Sequence, residues 1–289
     1  MQVALAIAIR YALTRRAFSV KPYEPELLLL DYPSHQRRLL PLVAKTYAMS
    51  FAANYLKMLY VKRSPQTNKT IHVVSSSFKA IFTWNTMHIL QECREACGGQ
   101  GLKTENRVGQ LKGEYDVTTT FERDNNILMQ QVSKALLAEY VAAQKKNKPF
   151  KGLGLEHMNK PCPVIPSQLT STTLRCSQFQ MDALCLRDVL LPISHKSQHV
   201  AKGESKEHAF IMSFKLAEDL GRAFSDRSIF QKFLEAEAIL AVGSLKDVLG
   251  MLRSFVCLDL CGRCLISPIW VPIGGQCCFC EERNHKDLQ

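Results

Sequence analysis

Apolar residues recur every three or four positions along most of this chain, and no long stretch alternates between apolar and polar residues. A spacing near 3.6 is typical of helices with one buried face, whereas strict alternation is typical of half-buried strands. The pattern therefore predicts an all-α protein. Helices are predicted over residues 1–18, 34–62, 70–97 and 124–146, and Pro41 is expected to bend or break the second helix near its start.

The domain organisation follows from the length of these helices and from one proline- and glycine-rich segment. Four long helices that can pack antiparallel predict a four-helix bundle over residues 1–147, in which residues 102–120 form an ordered polar loop. Prolines and glycines cluster in residues 148–168, which predicts a linker. A second, incomplete helical domain is predicted over residues 169–255. Its helices are expected at 167–191, 205–220, 222–240 and 244–255.

Charge and hydropathy limit the partners that we expect. The formal net charge is +11, but the basic residues are spread over many segments and form no single stripe, so no nucleic-acid partner is expected. No apolar run reaches the roughly 18 residues that cross a bilayer, so no membrane span is expected. Residues 1–18 are apolar, carry arginines and lack acids, as in an organelle transit peptide, although an amphipathic core helix is the preferred interpretation.

Two short motifs lie between the third and fourth predicted helices. The first is Gly98-Gly99-Gln100-Gly101, directly after a helix-like run, where glycines allow a left-handed turn and a close approach of another group. The second is Phe121-Glu122-Arg123-Asp124-Asn125-Asn126, directly before the fourth helix, where side-chain oxygens can cap the first turn. Taken alone, the glycines are typical of a helix C-cap and Glu122 of a solvated or capping carboxylate.

Taken together, the two motifs and their flanking residues make the chain resemble the acyl-CoA oxidases, and most of all the plant peroxisomal type that acts on medium-length chains. The matching stretches are E-C-R-E-A-C-G-G-Q-G-L and T-T-F-E-R-D-N-N. The resemblance covers about residues 1–255. It implies FAD as cofactor, fatty acyl-CoA and O2 as substrates, and trans-2-enoyl-CoA and hydrogen peroxide as products. It also implies that Glu122 is the base that removes the proton α to the thioester carbonyl, and that the protein is peroxisomal.

The resemblance also implies which residues contact FAD. The glycine segment and the three residues before it match a stretch that packs beside the FAD of a neighbouring subunit. Arg15 matches an arginine that contacts the FAD pyrophosphate. An arginine suits that contact because its planar guanidinium can pair with phosphate oxygens. For Arg15 and Gln36 a solvated or capping role is the alternative. The implied FAD-side residues are Arg15, Gln36, Glu95, Ala96, Cys97, Gly98, Gly99, Gln100, Gly101, Asp124 and Asn126. We expect Glu122 and the glycine segment to border one cleft.

Two departures from the family pattern leave alternatives open. Arg123 stands where the family has glycine, and a cation there would favour the ionised form of Glu122 and weaken it as a base. The family also has a helical and a β-barrel-like domain before the part that corresponds to residue 1, so we expect a truncated C-terminal half. The chain is thus interpreted either as an oxidase or as an inactive helical protein that associates with a complete oxidase subunit. A homodimer is the other assembly expected.

The last segment, residues 256–289, contains six of the eleven cysteines: Cys257, Cys261, Cys264, Cys277, Cys278 and Cys280. Their spacing resembles a zinc site only in part, because the second group is C-C-x-C. Codons for residues 263–278, when read one base out of register, can encode a sequence similar to the ordinary continuation of a plant acyl-CoA oxidase. The preferred hypothesis is therefore a shifted reading frame without metal, and the two cysteines at 93 and 97 are interpreted as small buried residues.

Overall fold

The computed structural model describes residues 1–164, 166, 169–200 and 214–265, and it confirms the all-α class. The helices are α1 Gln2–Thr14, α2 Pro33–Val61, α3 Asn68–Ala96, α4 Val108–Asp116, α5 Asn125–Lys146, α6 Ser171–Arg175, α7 Ser177–Val200, α8 Phe214–Ile239 and α9 Ser244–Leu265. Single 3-10 turns are at Leu29–Asp31, Gly98–Leu102, Thr104–Asn106, Val117–Thr119 and Glu156–Asn159. Strands β1 Arg16–Ala17 and β2 Leu27–Leu28 pair antiparallel, with Arg16 opposite Leu28.

The long helices α2, α3 and α5 begin and end within two residues of the predicted positions. Helix α2 opens with Pro33 at its first position, where the missing N–H leaves no hydrogen bond unmade, and it continues past Pro41. Helix α5 starts directly after Asp124, whose side chain accepts a hydrogen bond from the backbone N–H of Asn126. Asn147 then takes a left-handed conformation and ends the helix. Local sequence signals thus determine these boundaries.

Three predicted elements are wrong, each because a tertiary contact prevails. Helix α1 ends at Thr14, since Arg15 is extended and the next two residues pair with Leu27–Leu28. The predicted loop at 102–120 contains α4, which is anchored on α3 by the buried Val108. Helix α8 runs unbroken through Gly221 instead of stopping there. A Cβ on Gly221 would lie 2.8 Å from the sulfur of Met129, so this glycine permits close packing against α5.

The larger hydrophobic core is shared by the two predicted domains. Phe51 of α2 meets Phe233 of α8 edge to face, with ring centroids 5.2 Å apart. The predicted linker also enters this core, because Phe150 stacks on Tyr140 and is almost fully buried. The division into domains at 148–168 stays a prediction, but residues on both sides of that segment contribute to one core. The part of the 205–220 helix before Phe214 lies outside the described residues.

A smaller core joins the N-terminal helix to the ends of α2 and α3. Its buried members include Leu5 of α1, Leu39 of α2, and Ile89 and Cys93 of α3, with Val108 of α4 beside them. This cluster brings the C-terminal end of α3 close to the start of α2. Within the described ranges, none of the helices is both long and apolar enough to cross a membrane.

Candidate functional site

Most of the residues expected to face FAD meet at one end of the bundle. Arg38, in the second turn of α2, donates from Nη2 to Glu95 Oε2 over 2.6 Å and also pairs with Glu92. A further hydrogen bond joins Gln91 to Glu95. These contacts hold the start of α2 against the last turns of α3. The hydrogen bond from Gln91 and the charge of Arg38 lower the pKa of Glu95, which is thereby kept ionised.

Arg15 and Gln36 reach the same end through the turn at Leu29–Asp31. The backbone N–H of Leu29 donates to the carbonyl of Arg15 over 2.9 Å, and Gln36 Nε2 donates to the carbonyl of Leu30 over 2.9 Å. Gln36 therefore supports the turn with its amide nitrogen. The side chain of Arg15 is exposed and has no polar partner among the described residues, so its guanidinium is free to meet an anion.

The glycine segment combines a helix end with an open surface. Gly98 has φ +56° and terminates α3, as a C-cap glycine does. A Cβ on Gly101 would lie 2.2 Å from the carbonyl oxygen of Arg94, so only glycine fits this contact. By contrast, Cβ atoms on Gly98 and Gly99 would meet nothing within 4 Å. The backbone of these two glycines is therefore open to the surroundings.

The residues just before the glycines point inward. The side chains of Ala96 and Cys97 are buried in the smaller core, so a flavin could reach only their backbone. Burial raises the pKa of Cys93 to about 12 and also raises the pKa of Cys97. Both groups are therefore protonated thiols near neutral pH, in agreement with the interpretation of small buried side chains.

The second motif forms a loop in front of α5. We call residues 117–124 the glutamate loop. Glu122 has φ +55° and Arg123 has φ +109°, two left-handed conformations in succession, and both side chains are exposed. Such angles are rare for residues with a Cβ, and Arg123 takes an angle that suits glycine, the residue the family has there. Asp124 caps α5 and Asn126 is exposed beside it.

Three residues to which the sequence analysis gave no individual role hold this loop. Lys79 of α3 donates from Nζ to the carbonyl of Arg123 over 2.9 Å and to Oδ1 of Asn125 over 2.8 Å. Asn125 is buried, and its Nδ2 donates to Oγ1 of Thr83 over 2.9 Å. A signal was available, because Lys79 is the only Lys, Arg, Asp or Glu among residues 70–91. An isolated charge in such a run needs a specific partner.

The expectation that Glu122 and the glycine segment border one cleft is wrong. The glutamate loop is attached to α3 at Lys79, whereas Gly101 touches α3 at Arg94. At 1.5 Å per residue, these 15 residues of continuous helix separate the two attachment points by about 22 Å. The two motifs therefore face different regions of surface.

No group of three or more His, Cys, Asp or Glu side chains that could hold a metal occurs in the part of the chain that the structure describes. The side chains of Cys261 and Cys264 lie outside the described residues, as does the whole of 266–289 with Cys277, Cys278 and Cys280. The zinc and reading-frame hypotheses for the tail therefore stay predictions.

Comparison with known proteins agrees with the motifs and the fold. Residues 1–137 match the family model described as acyl-CoA oxidase, C-alpha1 domain. Peroxisomal acyl-coenzyme A oxidase 3 of Arabidopsis thaliana is 68% identical over 260 residues, which are 89% of this chain and 38% of that protein. The chain thus spans about two fifths of the length of this curated relative.

Solved structures give the same result. The crystal structure of acyl-CoA oxidase3 from Yarrowia lipolytica is 26% identical with a TM-score of 0.79, over 98% of this chain and 43% of that one. Acyl-CoA oxidase-1 of Caenorhabditis elegans, complexed with FAD and ATP, shares the fold at a TM-score of 0.76 and 22% identity, over 91% of this chain and 42% of that one. With its motifs, its helical fold and these relatives in agreement, the chain belongs to the acyl-CoA oxidase family.

Proposed function

We propose that this chain takes part in the oxidation of fatty acyl-CoA to trans-2-enoyl-CoA, with O2 reduced to hydrogen peroxide, in peroxisomal fatty acid β-oxidation. The observation that carries the proposal is the position of Glu122. Its carboxylate is exposed on a loop whose backbone is fixed to α3 by Lys79 and whose end caps α5. A general base must be both accessible to its substrate and held in one place, and this loop meets both conditions.

Glu122 is the proposed base for the proton α to the thioester carbonyl. It is exposed in the described part of the chain, so the surface that would exclude water from its carboxylate is supplied by another part of the assembled oxidase. An open groove of about 290 Å³ with a mainly apolar lining lies between the first two residues of the chain, α2 at Thr46–Ala53 and Phe82 of α3, which is three residues from Lys79. We propose that it accommodates part of an acyl chain.

FAD, when bound, supplies the hydride acceptor and the route of electrons to O2. The exposed guanidinium of Arg15 is the proposed partner of its pyrophosphate, and the bare backbone at Gly98 and Gly99 is the proposed contact surface. Because about 22 Å of α3 separates this end from the glutamate loop, we propose that the two regions serve the FAD molecules of two subunits. Either a homodimer or an association with a complete oxidase subunit provides that arrangement.

The second candidate function is an inactive helical protein that associates with a complete oxidase subunit. Arg123 favours it, because this residue places an exposed cation next to the proposed base and holds a strained backbone where the family has glycine. A nearby positive charge stabilises a carboxylate in its ionised form and so reduces its strength as a base. In this alternative the chain keeps the helical surface that associates with an oxidase subunit but does not catalyse the reaction.

One assay distinguishes the two candidates. The chain is purified, its flavin absorbance is recorded, and peroxide release is measured with a medium-chain acyl-CoA. An active oxidase is expected to lose peroxide release by roughly 10²–10⁴-fold in Glu122→Gln, while Glu105→Gln, a change at an exposed glutamate on another turn, has no effect.

Absence of both flavin and peroxide in the unmodified chain would eliminate the first candidate. Co-elution of that chain with a complete oxidase subunit would then support the second. Arg123→Gly then tests the cause of inactivity: measurable rescue would show that Arg123 itself blocks the reaction, and no rescue would show that Arg123 is not the main defect.

A further inference from the structure

Lys79 connects the middle of α3 to both ends of the segment that carries Glu122. Its Nζ lies 3.5 Å from the carbonyl of Thr119, 2.9 Å from the carbonyl of Arg123 and 2.8 Å from Oδ1 of Asn125. An ammonium group has three N–H donors and no acceptor, so these three oxygens match its full capacity. One side chain thus joins residues before and after Glu122.

The contact continues into the interior through Asn125. The amide nitrogen of Asn125 donates to Oγ1 of Thr83 and, over 3.4 Å, to the carbonyl of Ala80. Lys79 and Thr83 are one helical turn apart, so both point to the same side of α3. Lys79, Thr83 and Asn125 therefore form a clamp that fixes the glutamate loop to a rigid helix.

The backbone of the loop requires such a clamp. Glu122 and Arg123 both have positive φ, a conformation that residues with a Cβ keep only where surrounding contacts hold them in it. Without a counteracting contact the loop would relax and the carboxylate would turn away. The ammonium also lies 5.8 Å from the centroid of the Phe121 ring, a further contact with the same loop.

The surroundings of Lys79 act on its pKa in two opposing directions. Burial lowers the pKa of Lys79, and the carboxylates of Asp124 and Glu122 act in the opposite direction. The same residue thus donates hydrogen bonds to the backbone of the loop and places a positive charge near Glu122. A methionine, which is apolar and of similar length, could do neither.

We propose that Lys79 is the positioning residue for Glu122, acting through the carbonyls of Thr119 and Arg123 and through Asn125. The role of Glu122 as a base rests on the proposed function, but the clamp itself does not. In this proposal Lys79 contacts neither substrate nor cofactor. It fixes the position of the Glu122 carboxylate.

The test uses the full chain with Lys79→Met, Lys79→Arg and the matched control Lys57→Met, which changes an exposed lysine of α2. Hydrogen exchange is measured in peptides that cover residues 117–124 and, for reference, the body of α5. Lys79→Met is expected to accelerate exchange in 117–124 about tenfold and to leave α5 unchanged. Lys79→Arg is expected to restore most of the protection, and Lys57→Met to match the unmodified chain.

Unchanged exchange in residues 117–124 of Lys79→Met would overturn the proposal. If Lys79→Met does not fold, Thr83→Val supplies the same test, because it removes the acceptor of Asn125 and leaves Lys79 in place. A smaller but clear acceleration is then expected, and none would again overturn the clamp.

The link to catalysis is tested separately. Where the unmodified chain turns over acyl-CoA, Lys79→Met is expected to lower kcat about tenfold with KM within twofold, and Lys79→Arg to recover it. A freed loop with unchanged kcat would overturn the positioning role. A chain without turnover would refute the proposed function, while the exchange data would still decide the clamp.

Discussion

Arg227 donates from Nε to Oδ2 of Asp188 over 2.6 Å, and both side chains are almost completely shielded from solvent. Arg227 Nη2 also donates to the carbonyl of Gly154 over 2.9 Å, so one guanidinium joins α7, α8 and the segment that follows α5. His157 lies beside this pair, with Nε2 3.5 Å from the same carboxylate oxygen. The cluster therefore attaches the predicted linker to the second half of the chain.

Breaking this buried pair is expected to destabilise the fold strongly. Asp188→Ala leaves the guanidinium buried without its counter-charge, and the free energy of unfolding should fall by about 3–5 kcal/mol in urea denaturation. The matched control is Glu139→Ala, which removes the partner of Lys69 in an exposed pair and should change stability by about 1 kcal/mol or less. Equal effects of the two changes would contradict this account.

The same cluster predicts a dependence of stability on pH. Burial, and next the charge of Arg227, lower the pKa of His157 from 6.5 to about 4. Between these two values the unfolded chain binds the proton and the folded chain does not. His157 therefore leaves the free energy of unfolding unchanged above about pH 6.5. As the pH falls from there to about 4, it lowers the free energy of unfolding by roughly 3 kcal/mol.

This pH effect is isolated by comparing the unmodified chain with His157→Gln. Denaturation midpoints measured from pH 7 to pH 4 should fall less steeply in the variant, because the carboxylates that also titrate in this range are common to both proteins. Parallel curves would show that His157 is not the group responsible.

Two glycines of one segment are expected to respond differently to alanine. Gly101→Ala would place Cβ 2.2 Å from the carbonyl oxygen of Arg94, and we expect a loss of roughly 1–3 kcal/mol of stability as α3 and the turn move apart. Gly99→Ala meets nothing within 4 Å and should leave the melting temperature almost unchanged. If Gly99→Ala nevertheless weakens flavin retention, the open backbone is a ligand contact and not a folding requirement.

The strained backbone at Arg123 predicts a stabilising substitution. Arg123→Gly should raise the free energy of unfolding by about 1 kcal/mol or more, because glycine adopts a φ of +109° without a Cβ clash. Arg123→Ala removes the charge but keeps the Cβ, and it should give no such gain. A similar gain in both variants would assign the effect to the charge, contrary to the argument from backbone geometry.

The sequence by itself determined the all-α class, the long helices α2, α3 and α5, and the family. Apolar spacing within α2, α3 and α5, proline at the start of α2 and the cap at Asp124 are local signals, because hydrogen bonding within a helix and its first turn involves only near neighbours. The order of the two motifs, with glycines before Glu122, was sufficient to indicate the acyl-CoA oxidases.

Only the tertiary structure decided how these pieces meet. Gly221, an expected helix break, lies inside α8 in close contact with Met129. Helix α4 forms where a loop was predicted because Val108 is buried, and Phe150 of the predicted linker lies in the core. The tertiary structure also separated Glu122 from the glycine segment and attached its loop to Lys79. Such contacts join residues far apart in the chain, and their energies depend on burial and distance, which a linear pattern of residue types does not contain.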